Sequence, residues 1–192
     1  MNKATAPIYQ LKLQLGGITP PIWRRILVSG DITLGKLHEV IQDTMGWTNS
    51  HLHDFVIDGE TYSDPEAEID DSQDETQYRL VQMAPRAGKK LDYLYDPGDG
   101  WEHKIVVEKI VEAGQRYAGG PVCPVCIAGA RACPPEDCGG PGGYDEFLTA
   151  ITNPKNKQHK EMREWIGDDF DPEHFDLAEI NDLLKASNEM PG

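Results

Sequence analysis

Cys123, Cys126, Cys133 and Cys138 are the only cysteines of the chain and fall within sixteen residues. Four soft sulfur ligands so close together suit one tetrahedral zinc ion. Cys123-Pro124-Val125-Cys126 has the form of a zinc knuckle, with the proline stiffening the turn that brings two sulfurs to one metal. Six residues then separate Cys126 from Cys133, and four separate Cys133 from Cys138. That is tighter than the two-knuckle spacing of ribbons and fingers, although Gly129 and the prolines permit tight turns. Three chemistries stay open: a structural zinc site, inert or disulfide-linked thiols, and a redox Cys-x-x-Cys pair. A redox pair normally opens a helix after a strand, which Pro121 and the Gly/Pro context oppose.

A second constellation is His51, His53, Asp96, Asp99 and His103. His51 and His53 are two apart, so in a strand they share a face. Histidine with carboxylate is a recipe for a catalytic or labile metal site, or for a pocket that takes a polar ligand. It is also ordinary content of polar turns, where aspartates satisfy backbone N–H groups. Glu136-Asp137 reads either as an acidic recognition loop or as a helix entry, its carboxylates favouring the N-terminal dipole of the helix after it. Arg24 and Arg25 fall on opposite faces of a strand, so only Arg25 shares the face of Trp23, and pairing with the abundant acids accounts for it. Neither a phosphate-binding Gly-x-x-x-x-Gly-Lys-Ser/Thr nor a Gly-x-Ser-x-Gly elbow nor His-Glu-x-x-His occurs.

The elements that must position these groups follow from periodicity. Tyr9, Leu11, Leu13 and Leu15 alternate with polar residues as in a half-buried strand, and Ile22–Val28 reads as its antiparallel partner. Leu34, Leu37, Val40, Ile41 and Met45 fall at helical spacing, with Thr33 as N-cap and Gly46 as stop. Leu52–Ile57 reads as a strand closed by Asp58-Gly59. The acidic stretch 58–76 reads as a solvated, mobile loop, without the glycine and ligand alternation of a calcium loop. Leu91–Tyr95 and His103–Val111 read as paired strands across Asp96-Pro97-Gly98-Asp99-Gly100. Three helical stripes follow, around Tyr144–Ile151, Met162–Ile166 and Leu177–Leu184, with Asp176 as the cap of the last. Strands grouped early and helices grouped late predict one α+β domain over 1–192. It has a mostly antiparallel sheet, one helix inserted early, a Cys/Pro/Gly-rich crossover over 119–143 and a helical part over 144–186. The hairpin–helix–strand opening suggests a β-grasp-like order.

Several strings together resemble the plasmid pRiA4b ORF-3-like family, from about Ile8 to Leu184. They are Ile18-Thr19-Pro20-Pro21-Ile22-Trp23-Arg24-Arg25, Gly46-Trp47, His51-Leu52-His53-Asp54-Phe55, Tyr93–His103 and Cys133-Pro134-Pro135-Glu136-Asp137-Cys138-Gly139-Gly140. Pro97 stands where the family's usual Tyr-Asp-Phe-Gly-Asp-x-Trp has an aromatic, a departure confined to the turn. The resemblance implies an α+β fold and carries no established activity, although some members bear a resolvase label. It suggests Cys126, Cys133 and Cys138 as the family's own cysteine positions, with Cys123 or a histidine as fourth ligand.

The formal charge is −15, from 33 acidic against 18 basic side chains. That surface repels phosphate backbones and opposes nucleic-acid binding. No apolar run reaches membrane-spanning length, and the N-terminus leads into a strand without a signal-peptide pattern, so a cytoplasmic protein is expected. Three functions follow as expectations. The first is a binding or interaction module for a protein or small polar ligand, with a cysteine-ligated zinc. The second is a metal-dependent hydrolase-like enzyme using His51, His53, Asp96, Asp99 and His103. The third is a DNA-processing accessory protein, which the charge opposes.

Overall fold

The computed structural model describes residues 6–111, 124–167 and 169–189. β1 (Ile8–Leu15) and β2 (Trp23–Ser29) form the opening antiparallel hairpin, with Leu11 opposite Ile26 and Leu13 opposite Arg24. α1 (Leu34–Met45) starts where the Thr33 hydroxyl accepts from Lys36 N at 3.2 Å. It stops at Gly46, whose φ of 87° lets its N–H reach Gln42 O at 2.8 Å. β3 (His53–Ile57) and β4 (Glu60–Ser63) pair across Asp58-Gly59. β5 (Gln73–Asp74) follows, then the short α2 (Leu80–Met83), β6 (Lys90–Tyr95), β7 (Trp101–Val111) and β8 (Val125–Ala130). α3 (Gly140–Thr152), α4 (His159–Ile166) and α5 (Leu177–Glu189) close the chain.

The strands make one eight-stranded sheet in the order β5-β4-β3-β6-β7-β1-β2-β8, antiparallel except for the β4–β5 pair. Alternation sorts its faces. Tyr9, Leu11, Leu13 and Leu15 of β1, Tyr93 and Tyr95 of β6, and Trp101, Ile105 and Val107 of β7 are all fully buried. Lys12, Gln14, Asp92, Glu102 and Lys104 alternate with them and are half-buried or exposed. The buried face receives the apolar stripe of α1, and Tyr144, Phe147, Ile151 and Leu184 of the late helices join the same core. The α+β expectation therefore holds as an eight-stranded, mostly antiparallel sheet with one early helix and C-terminal helices. Among the described residues no helix is long and apolar enough to cross a membrane.

Two stretches differ from expectation. Residues 58–76 are not a featureless loop: they hold β4 and β5, Tyr62 and Ser63 are buried, and Glu75 is only 3% exposed. The acids of this stretch are mostly solvated, but Glu75 turns inward because a histidine meets it there. Part of the Cys/Pro/Gly crossover is β8, with Cys126 opposite Ile26. A short run of small residues becomes a strand because the free edge of β2 supplies its hydrogen bonds. Asp176 does cap α5, accepting from Ala178 N at 2.7 Å and Glu179 N at 3.2 Å. Arg25 reaches Glu108 at 2.6 Å and lies over the Trp23 ring.

Candidate functional site: two loops clamped around His51

The turn between β6 and β7 is built by Asp96. Its φ of 51° is tolerated best by Asn, Asp and Gly, and its Oδ1 accepts from Gly98 N at 3.0 Å and Asp99 N at 3.3 Å. Asp99 then holds the entry to α3: its Oδ2 accepts from Gly139 N at 3.1 Å. The two backbones touch here, since a Cβ on Gly140 would lie 2.1 Å from Asp99 O. A Cβ on Gly143 would lie 2.0 Å from Cys138 O. The glycine run is thus a close-approach surface on which the Cys133–Gly139 loop folds against the Asp96–Gly100 turn.

The same loop is fastened to the segment entering β3. Trp47 Nε1 donates to Pro134 O at 3.0 Å. Glu136 accepts from Thr48 N at 3.3 Å, from the Thr48 hydroxyl at 2.5 Å and from the Tyr95 hydroxyl. Tyr95 oxygen in turn accepts from Ser50 N at 3.0 Å. Burial, and next the Glu136 carboxylate it donates to, hold the Tyr95 phenol well above its ordinary range. Both carboxylates of Glu136-Asp137 are engaged within the chain, Glu136 with Thr48 and Tyr95 and Asp137 with His51, a role that neither the recognition-loop nor the helix-entry reading anticipates.

His51 sits between the clamped loops. Its Nδ1 is 3.6 Å from Asp96 Oδ2 and its Nε2 is 3.3 Å from Asp137 Oδ1. Nε2 is shut off from solvent yet makes no hydrogen bond of acceptable geometry. Ligand atoms of His51, Asp96 and Asp137 lie within 4.8 Å of one another, and these three are the metal-capable group among the described residues.

A cleft of about 920 Å³, lined in part by His51, opens between α1, the start of β3 and the 64–76 stretch. His53 and Glu75 form its buried wall, Nε2 to Oε2 at 2.9 Å. The His38 ring stacks on His53 at 3.4 Å between centroids and 2° between planes. Asn49 Oδ1 can only accept, so His38 Nε2–H donates to it at 2.8 Å, and Nδ1 of the neutral ring accepts from the Tyr93 hydroxyl at 2.8 Å, which itself accepts from Gln42 Nε2 at 3.0 Å. Every polar atom of that chain is used, which fixes the His38 tautomer. Burial first, and then His53, push His38 down to about 3, so the stacked ring is neutral at physiological pH.

The five residues of the His/Asp constellation therefore divide. His51 and Asp96 meet, joined by Asp137. Asp99 is spent on the Gly139 backbone, and His53 faces Glu75. His103 is sealed in the core beside Trp47 and Tyr93, bonded through Nδ1 to Trp101 O at 2.9 Å and pushed by burial down to about 4. Cys123 lies outside the described residues. Cys126 is buried on β8 with Sγ 3.5 Å from Ala128 O, while Cys133 and Cys138 are partly buried beneath the α3 entry. Burial raises the Cys133 and Cys138 thiols, Cys138 to about 12. Cys126, Cys133 and Cys138 do not form a trio of ligand atoms within 4.8 Å of one another. Sequence reasoning missed His38, Glu75 and Tyr95. His38 and Gln42 are the polar interruptions of the apolar α1 stripe, a signal that was available; nothing marks Glu75 among its acidic neighbours.

Of the strings that carry the family resemblance, Gly46-Trp47, His51–Phe55, Tyr93–His103 and Cys133–Gly140 all supply residues to these contacts. The sequence profile described as "Plasmid pRiA4b ORF-3-like protein" matches residues 7–179. An uncharacterized protein, y4hQ, of Sinorhizobium fredii is 38% identical over 179 residues, covering 92% of this chain and 90% of that protein. A crystal structure of a protein of unknown function from Methanosarcina mazei Go1 is similar with a TM-score of 0.80 and 37% identity. That likeness covers 91% of this chain and 97% of the other.

Proposed function

The chain belongs to the plasmid pRiA4b ORF-3-like protein family, and from that premise we propose that it is a binding module whose cleft beside His51 takes a small organic cation bearing N–H donors. One observation carries the reading: the charge balance of the cleft lining. Four carboxylates, Glu39, Asp64, Glu66 and Glu75, line it against the single ammonium of Lys36, which is paired with Glu39, and the imidazole of His53, which meets Glu75. The stacked His38 cannot offset them, because it stays neutral. The lining carries several charged and polar side chains, which an apolar ligand would leave unpaired. An anionic ligand, and the DNA-processing role with it, would meet the carboxylates and the net charge of −15.

Calorimetric titration with 1,4-diaminobutane and agmatine, with succinate as an equal-sized anionic control, tests this. The amines bind, binding weakens as salt rises, and Glu75→Gln lowers affinity by about tenfold, the effect of roughly 1.4 kcal/mol. Succinate binding as well as the amines, or indifference to Glu75→Gln, refutes it. The cysteine-ligated zinc is a separate proposal, starting from the neighbouring Cys133 and Cys138; zinc content of Cys133→Ser against the parent protein reads it out.

A further inference from the structure

We propose that His51, Asp96 and Asp137 form a binding site for one divalent transition-metal ion, Mn²⁺ or Zn²⁺, at the end of the cleft. Donor chemistry selects the ion: one imidazole nitrogen with two carboxylate oxygens suits Mn²⁺ and Zn²⁺ better than the all-oxygen cations Mg²⁺ and Ca²⁺. Ligands held about 2.0–2.2 Å from one ion stand about 3–4 Å apart. The three donor atoms already lie within 4.8 Å of one another, so binding needs only a small contraction.

The surroundings are built for that contraction. Asp96 commits Oδ1 to two backbone N–H groups and leaves Oδ2 directed at His51. Such a division of one carboxylate between backbone and ligand position is how outer contacts orient a metal ligand. His51 Nε2 is sealed from solvent and, although 3.3 Å from Asp137 Oδ1, makes no well-formed hydrogen bond, a costly state for a polar atom unless something else meets it. Asp137 approaches from the opposite loop, whose position is fixed by Glu136 and by the Gly139–Asp99 contact. Three protein ligands leave coordination positions open, and because Asp137 is largely exposed those positions face water. A protonated His51 bridging two aspartates is the competing account, and metal titration separates them.

The experiment uses protein dialysed against chelator and titrated with Mn²⁺, following loss of the free-ion electron paramagnetic resonance signal, with Zn²⁺ as competitor. One Mn²⁺ binds per chain and Zn²⁺ displaces it. His51→Ala and Asp96→Asn weaken binding at least tenfold, and Asp137→Asn, on an exposed side chain whose contact is with His51, does the same with an unchanged circular dichroism spectrum. Cys133→Ser and Glu75→Gln bind as the parent does, which keeps this result distinct from both the cysteine zinc and the organic-cation reading. Absence of Mn²⁺ and Zn²⁺ binding in the parent overturns the proposal. So does full binding in Asp137→Asn, or a loss confined to Cys133→Ser.

Discussion

Gly140 and Gly142 are two residues apart at the start of α3, and alanine at each should act in opposite directions. At Gly140 the φ is 68°, and an added Cβ would lie 2.1 Å from Asp99 O. The left-handed backbone alone costs an L-residue about 1–2 kcal/mol. The contact must then open by about 1 Å to reach the closest tolerated separation, which pulls Asp99 from Gly139 and forfeits a charge-assisted hydrogen bond of about 1.5 kcal/mol. Together these give about 3 kcal/mol, or a fall of roughly 6–12 °C in the melting temperature for a chain of this size. At Gly142 a Cβ meets nothing within 4 Å, and its φ lies outside the left-handed range. Alanine there restricts the unfolded chain and suits the helix, gaining about 0.5–1 kcal/mol, a rise of roughly 1–4 °C. Thermal unfolding followed by circular dichroism reads both, and Mn²⁺ titration of Gly140→Ala adds the functional arm. Equal melting temperatures for the two variants would refute the close approach of the two loops, and with it the account of why this run is glycine.

Two further outcomes follow from the buried charge-bearing groups. His38 and His103 are held at about 3 and about 4 when folded, against about 6.5 when unfolded. The unfolded chain therefore binds more protons below pH 6.5, and stability is lost as pH falls from there toward 4, by up to about 2 kcal/mol per histidine at pH 5. Urea unfolding at pH 7, 6 and 5 measures this, and His38→Asn should remove about half of the slope; a flat profile in the parent would contradict neutral burial. Arg24, 3% exposed, donates to the carbonyls of Thr44, Ala130 and Arg131 at 3.1, 2.9 and 2.8 Å and lies over Phe175. Lysine cannot reproduce that fork, so Arg24→Lys should cost about 2–3 kcal/mol in chemical denaturation, and a loss under about 0.5 kcal/mol would mean that the β2–β8 edge is held by other contacts.

Local patterns in the sequence reach as far as local physics does. Alternation marks β1, and helical spacing with Thr33 and Gly46 marks the length and both ends of α1, because each signal lies within one element. β8 was hidden, since Val125 and Ile127 are followed by Ala128-Gly129-Ala130 in a Pro- and Gly-rich stretch, and the strand is completed by pairing with β2. Glu75 was hidden for the same reason at the level of side chains. Its role comes from His53, twenty-two residues earlier, and burial of that pair outweighs the tendency of an acidic run to stay in water. Likewise sequence spacing joins the histidines at 51 and 53 to His103, and the structure separates them. The strand register places Tyr93 opposite His103 and Tyr95 opposite Trp101, which puts His103 deep in the core while His51 lies before the strand begins.

His51 is the residue that the two proposed sites share, and its position limits what each variant can say. It lines the cleft and also stands between Asp96 and Asp137. A cation on its ring nitrogen would add positive charge at one end of a cleft whose lining is acidic, so metal and organic cation would oppose one another through Coulomb repulsion at short range. Linkage makes such opposition reciprocal: whatever factor Mn²⁺ takes from amine affinity, the amine takes from Mn²⁺ affinity. His51→Ala disturbs both sites and cannot apportion that effect. Asp137 meets His51 whereas Glu75 meets His53, so Glu75→Gln changes the cleft with the metal ligands intact, and Asp137→Asn does the reverse.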